Sequence, residues 1–218
     1  EFRRVLFRSV HLTIDGPADA APSDWGVWEM PAFREADDGL IHARACDDLA
    51  GCASILAALA EAAAGDWPCD VTGVFTRAEE VGLVGASLVG QQGLLPADTV
   101  VVSVESSRQL PGAVQGKGPV IRVGDVRRTF HPEAEAMLQA GSDALKAADS
   151  NWKVQRQLMS GGTCEATAFA LYGYRTTGIA LPLGNYHNVP DAHYEGTPPT
   201  GEAARVAPEH IHRDDLRG

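Results

Sequence analysis

Aromatic side chains are scarce in this chain: Phe, Trp and Tyr make up 6% of its 218 residues, while 44% of the residues are hydrophobic. A core poor in rings and rich in Ala and Gly suits helices packed closely on a sheet better than a β-sandwich. Basic residues are outnumbered, 18 Lys and Arg against 29 Asp and Glu, for a net charge of −11. With no basic stripe to follow a phosphate backbone, nucleic acid is excluded as a partner. No apolar run approaches the roughly 20 residues that cross a bilayer, so no membrane-spanning helix is expected. The four cysteines, Cys46, Cys52, Cys69 and Cys164, form no Cys-x-x-Cys pair. That argues against a disulfide framework or structural zinc, and suits buried free thiols in a reducing, cytoplasmic setting. The chain also lacks the Gly-x-Gly-x-x-Gly and Walker loops of nucleotide-binding domains; GLVGASLVG at 82–90 is only a loose mimic.

The two ends differ from the middle. Residues 1–10, EFRRVLFRSV, carry three arginines against one acid and no signal-peptide cleavage pattern, and read as a non-native leader. At the other end, in EHIHRDDLRG, Asp214 reads as the N-cap of a helix whose remainder is missing. Between them, residues 11–45 contain short alternating stretches, VHLTID and GVWEM, that read as small β structure. From residue 46 onward strands and helices alternate. DLAGCASILAALAEAAAG is a helix stopped by Gly65, and 70–76 (DVTGVFT) reads as a strand. GLVGASLVGQQG is a short helix, and TVVVSV at 99–104 reads as a strand buried on both faces. GPVIRVG, WKVQRQLM and TTGIALPL are further strands, while 131–149 and CEATAFALYG are helices. The alternation predicts a three-layer α/β/α sandwich with a mostly parallel central sheet.

On that frame the acids fall in a pattern. Asp47 and Asp48 open the first long helix, Glu79 and Glu80 follow strand 70–76, Glu105 follows strand 99–104, and His187 follows strand 177–183. Taken singly, each has an ordinary explanation as a helix cap, a solvated loop or a loop histidine. Taken together they converge on the carboxyl edge of a parallel sheet, where such folds place ligands. Carboxylates gathered this closely repel unless a cation lies between them, and carboxylate oxygen with imidazole nitrogen suits zinc, cobalt or manganese.

The segments RACDDLAGCASILAAL, FTRAEEVGLVGA, VSVESS, GKGPVIRVGD, SGGTCEATAFA and NYHNV closely resemble the zinc-dependent exopeptidase superfamily. The nearest branch is that of the glutamyl and tetrahedral aminopeptidases, with the carboxypeptidase/deacylase branch second. The resemblance implies a hydrolase that cleaves the N-terminal peptide bond of a peptide, or a small amide, with two divalent metal ions. Asp47 would bridge the metals, and the Asp47–Asp48 peptide bond would be cis. Glu80 and His187 would serve the second metal and Glu105 the first. Glu79 would be the general base that takes a proton from the attacking water and passes it to the leaving amine. Asp48 would support the ligands from behind, and Gly161, Gly162 and Thr163 would line the substrate pocket. Residues 11–45 would be the remnant of a small inserted β domain and 46–218 the catalytic domain without its C-terminal helix. The full-length parent would be a homo-oligomer.

The chain departs from the pattern in several places. No His-x-Asp motif supplies the first metal's histidine, and His11 matches the inserted domain instead. One tight metal site and impaired activity are therefore expected for this chain. Glu105 and Cys164 each stand where Asp is usual, and Leu49 where Arg is usual. An N-acyl amino acid deacylase or carboxypeptidase, with Arg122 or Arg175 holding a substrate carboxylate, is the alternative. A non-catalytic metal- or peptide-binding paralogue is a further one.

Overall fold

The computed structural model describes residue 21 and residues 27–191 and 206–217; the leader, VHLTID and His11 lie outside them. The first elements are β1 (Phe33–Glu35), β2 (Leu40–Ala43), α1 (Leu49–Ala64) and α2 (Val84–Gln91). They are followed by β3 (Val100–Arg108), β4 (Val120–Asp125), α3 (Pro132–Ala148), β5 (Gln155–Met159), α4 (Glu165–Leu171), β6 (Arg175–Leu183) and β7 (Glu209–His212). The central sheet runs β3-β6-β4-β5. Two of its pairings are parallel, β3 with β6 and β4 with β5, and β4 runs antiparallel to β6.

Helices cover both faces. Along β3, Ser103 reaches Glu165 at the start of α4, while Ser106 reaches Cys46 and Asp48 just ahead of α1. Residues an odd number apart on a strand point to opposite faces, so α4 and α1 lie on opposite sides. Local chemistry explains the helix ends. The Asp48 carboxylate accepts from the Gly51 amide at 3.2 Å, and Gly65 terminates α1. Pro132 occupies the first turn of α3, where a missing N–H costs nothing.

A second, antiparallel sheet, β1-β2-β7, joins an early segment to a late one, with His42 opposite His210 and Ala43 opposite Glu209. It is attached to the main sheet where β6 ends: Gly184 and His210 exchange backbone hydrogen bonds of 2.8 and 3.1 Å. Beneath that junction Cys46, Leu181, Leu183 and Ile211 form one buried cluster.

Four expectations are corrected. Residues 70–76 are not in a ladder; no described strand lies beside them, so they run extended, with Gly73 facing Leu59 and Ile55 of α1. Val27–Met30, the described part of GVWEM, is likewise irregular. β3 is mostly half-buried rather than buried on both faces, and it continues through Glu105 to Arg108. At the C-terminal end a single 3₁₀ turn, Arg213–Asp215, is capped by His212, whose Nδ1 accepts from the Asp214 amide at 3.1 Å; Asp214 is not the cap. Asp215 turns inward and accepts from the Gly116 and Gly118 amides. All four cysteines are free; Cys46 and Cys164 are buried, while Cys69 is exposed.

Candidate metal centre

Three loops bring the predicted residues together. The first leads into α1. The Asp47–Asp48 peptide bond is cis, and the Ser106 hydroxyl lies 3.2 Å from the Cys46 carbonyl and 3.1 Å from the Asp48 carboxylate. Asp48 is thereby engaged in capping and bracing, and does not line the cleft.

The second loop carries Glu79 and Glu80. It is closed by its own backbone: the amides of Gly82 and Leu83 donate to the Glu79 carbonyl, Val84 to Ala78, and Gly85 to Arg77. The turn requires left-handed backbone at Ala78, Gly82 and Leu83, with φ of 60°, 113° and 58°. A side chain in that region is tolerated only where the surroundings over-determine it, as they do here.

The third loop, 184–188, follows β6. Asn185, His187 and Asn188 all have positive φ, a conformation in which Asn is several-fold enriched. Asn188 Nδ2 lies 2.9 Å from the Arg44 carbonyl and 3.0 Å from that of Ala207, and Asn185 Nδ2 lies 2.8 Å from that of Pro208. Asn185 and Asp191 also exchange side-chain-to-backbone bonds. The His187 ring stacks on Tyr186 with centroids 3.8 Å apart.

The result is a cleft of about 230 Å³ whose lining includes Asp47, Glu79, Glu80, Glu105, Gly162, Thr163, Tyr186 and His187. Ligand atoms of Asp47, Glu80 and His187 all lie within 4.8 Å of one another. His187 Nε2 is 3.7 Å from Asp47 Oδ2 and 3.6 Å from Glu80 Oε2. Tetrahedral ligands about 2.1 Å from a zinc ion sit about 3.4 Å apart, so these atoms fit such an ion with small adjustments. Glu105 lines the same cleft from within β3 rather than after it. Of the glycine-rich segment, Gly162 and Thr163 line the cleft and Gly161 does not. Buried Asp125 holds that segment: it accepts from the Thr167 hydroxyl and the Cys164 amide, and the Val126 amide donates to the Gly162 carbonyl.

The electrostatics are those of crowded acids. Burial, and then the charges of Glu80, Asp48, Glu209 and Glu79, push the Asp47 carboxyl up to about 8. Burial and then the charges of Glu165 and Glu80 raise Glu79 to about 7, with Arg122 opposing them. Asp48 also rises to about 7, chiefly through burial, and burial drives Glu105 well above the ordinary carboxyl range. A cation placed among them would relieve all of these shifts.

Neither arginine expected to hold a substrate carboxylate is placed to do so. Arg122 is 1% exposed beneath the cleft, with Nη1 3.7 Å from Glu105 and 3.3 Å from the Ser107 hydroxyl. Arg175 begins β6, at the end of the strand opposite His187, and donates to the Asp98 carbonyl. Two acids escaped the sequence reading. Glu209, the first residue of β7, is buried and accepts from the Asp47 amide at 3.0 Å. Glu165 accepts from the Thr76 and Ser103 hydroxyls. The only available signal for either was an acid at the first position of an element.

Solved structures share this fold. The TET1 peptidase of Pyrococcus horikoshii, which can assemble into a tetrahedron or a large octahedral shell, matches at a TM-score of 0.62 and 20% identity, over 85% of this chain and 49% of its own. Aminopeptidase APDkam598 from the archaeon Desulfurococcus kamchatkensis matches at 0.60 and 23% identity, over 85% and 48%. An M18-family aminopeptidase from Thermotoga maritima matches at 0.55 and 18%, over 85% and 46%. The chain therefore spans about half the length of these proteins, in an α/β architecture common to aminopeptidases. Residues 20–197 match the M42 glutamyl aminopeptidase family, and the chain belongs to that family.

Proposed function

We propose that this chain carries the metal-binding half of an aminopeptidase site, in which a divalent ion held by Asp47, Glu80 and His187 serves hydrolysis of an N-terminal peptide bond. The observation that carries the reading is the convergence of those three ligand atoms from three separate loops. When bound, the ion would polarise the scissile carbonyl and lower the pKa of water. Glu105, with Asp47, would offer oxygens to a second ion, and these two carboxylates alone would hold it weakly. Zinc suits the donor set, with cobalt and manganese as alternatives.

Glu79 takes the proton from the attacking water and delivers it to the leaving nitrogen, a role that suits a carboxylate lining the cleft beside the metal-ligand side chains. Gly162 and Thr163 border the substrate's place. The lining of the cleft is acidic and holds no Lys or Arg among the described residues. That favours a substrate presenting a free α-ammonium over one presenting a carboxylate, and so an aminopeptidase over a carboxypeptidase or deacylase. Free thiols are in keeping with a cytoplasmic location. The assembly of the Pyrococcus relative supports a homo-oligomeric parent.

The test is zinc titration of the chain and of Glu80→Ala, read by calorimetry and metal analysis. The expected result is about one tight equivalent, lost in the variant. Tight zinc that survives Glu80→Ala, or no zinc at all, would overturn the assignment.

A further inference from the structure

We infer that Glu209 is a positioning residue: it sets the spacing between Asp47 and His187, and through it the affinity of the cleft for a divalent cation. The inference rests on the metallopeptidase reading above. Glu209 is fixed by its own strand, opposite Ala43 in the β2–β7 ladder, and is 3% exposed. Its Oε2 accepts from the Asp47 amide at 3.0 Å, and the two residues just ahead of it are bound by the His187 loop, with Asn185 Nδ2 2.8 Å from the Pro208 carbonyl and Asn188 Nδ2 3.0 Å from that of Ala207. Two loops, each carrying a metal-ligand side chain, are thus tied to the start of β7, one through the Glu209 carboxylate and one through the backbone just ahead of it.

The chemistry of the tie calls for a carboxylate. An ionised carboxylate is acceptor-only, with room for several N–H donors. An amide of the same shape keeps one oxygen for the Asp47 amide, but it loses the charge that strengthens the bond and puts an NH₂ donor where the second oxygen lies. The bond to the Asp47 amide also explains why a buried acid is retained beside the cleft, where its charge adds to the repulsion on Asp47. The arrangement parallels a general feature of metal sites, in which groups that orient the ligands influence affinity nearly as much as the ligands do.

The experiment compares the full chain with Glu209→Gln and with Asp215→Asn. Asp215 is buried in the same C-terminal region, but it binds the Gly116 and Gly118 amides and touches neither ligand loop. Zinc affinity is read by competition with a chromogenic chelator, and amide hydrogen exchange of residues 45–48 and 186–188 is read without metal. Glu209→Gln is expected to weaken zinc by about 10–100-fold and to speed exchange in both loops, while Asp215→Asn does neither. Should Glu209→Gln fail to fold, Glu209→Asp keeps both oxygens one methylene further back and is expected to give an intermediate loss. Zinc binding by Glu209→Gln within about threefold of the parent chain, or an equal loss in Asp215→Asn, would overturn the positioning role. If the parent chain binds no zinc, the metallopeptidase reading fails and the affinity claim falls with it. The exchange data still judge the tie itself, and unchanged exchange in Glu209→Gln refutes it.

Discussion

Glu79 and Arg122 share one patch of the site, and their charges act in opposite directions. Glu79 is pushed to about 7 by burial and neighbouring acids, while Arg122 beneath it draws the carboxyls the other way. Replacing Glu79 with Gln removes the proton acceptor but leaves Asp47, Glu80 and His187 untouched. Hydrolysis of an aminoacyl p-nitroanilide should fall by about 10²–10⁴, with bound zinc unchanged by metal analysis. Arg122→Met acts differently, because it leaves Glu105 in a buried site with no counter-charge. Breaking a buried pair costs on the order of 3 kcal/mol, measured by urea denaturation of the metal-free chain. The loss should grow as pH rises, since burial raises the Glu105 pKa and a protonated carboxyl needs no partner.

Among the elements, loop 184–188 is held by side-chain bonds in several directions. Its side-chain amides span to Arg44, Ala207 and Pro208, so it fastens β7 to the rest of the site. Asn188→Ala leaves the Arg44 and Ala207 carbonyls without that donor and should lower stability by about 1–3 kcal/mol in the same denaturation assay. Much of this level was legible in the sequence. The Ala-rich run with Gly65 behind it marked α1, Pro132 marked the start of α3, and the order of Asp47, Glu79, Glu80, Glu105 and His187 marked the cleft they share. What escaped depends on neighbours far away in the chain. Residues 70–76 have the composition of a strand, but a strand exists only where another lies beside it. Arg122 was a candidate to hold a substrate carboxylate, but the carboxylate it faces is that of Glu105. Glu209 sits 162 residues from the amide it binds, and no local pattern announces such a pair.

For the molecule as a whole, the acid cluster sets a pH dependence. A carboxyl whose pKa is raised on folding keeps a proton that the unfolded chain gives up near pH 4. Its contribution to stability is complete below that pH and is lost as pH rises through the folded value. With Asp48 and Glu79 at about 7 and Asp47 at about 8, the metal-free chain should melt at progressively lower temperature from about pH 4 to pH 8. Zinc should restore most of the loss at pH 8 and release protons on binding, both visible by calorimetry in buffers of different ionisation enthalpy.

The sheet that joins β2 to β7 also bears on how the protein is made. Asp47 is in place long before its amide has anything to bind, because Glu209 is translated 162 residues later. At about 5–20 residues per second, that interval is on the order of 10–30 s. For most of it the nascent chain carries Asp47, Glu79 and Glu80 but not yet His187. The tie between the Asp47 loop and β7 therefore forms only after residue 209 has been added, and until then the Asp47 amide must find its partner in water.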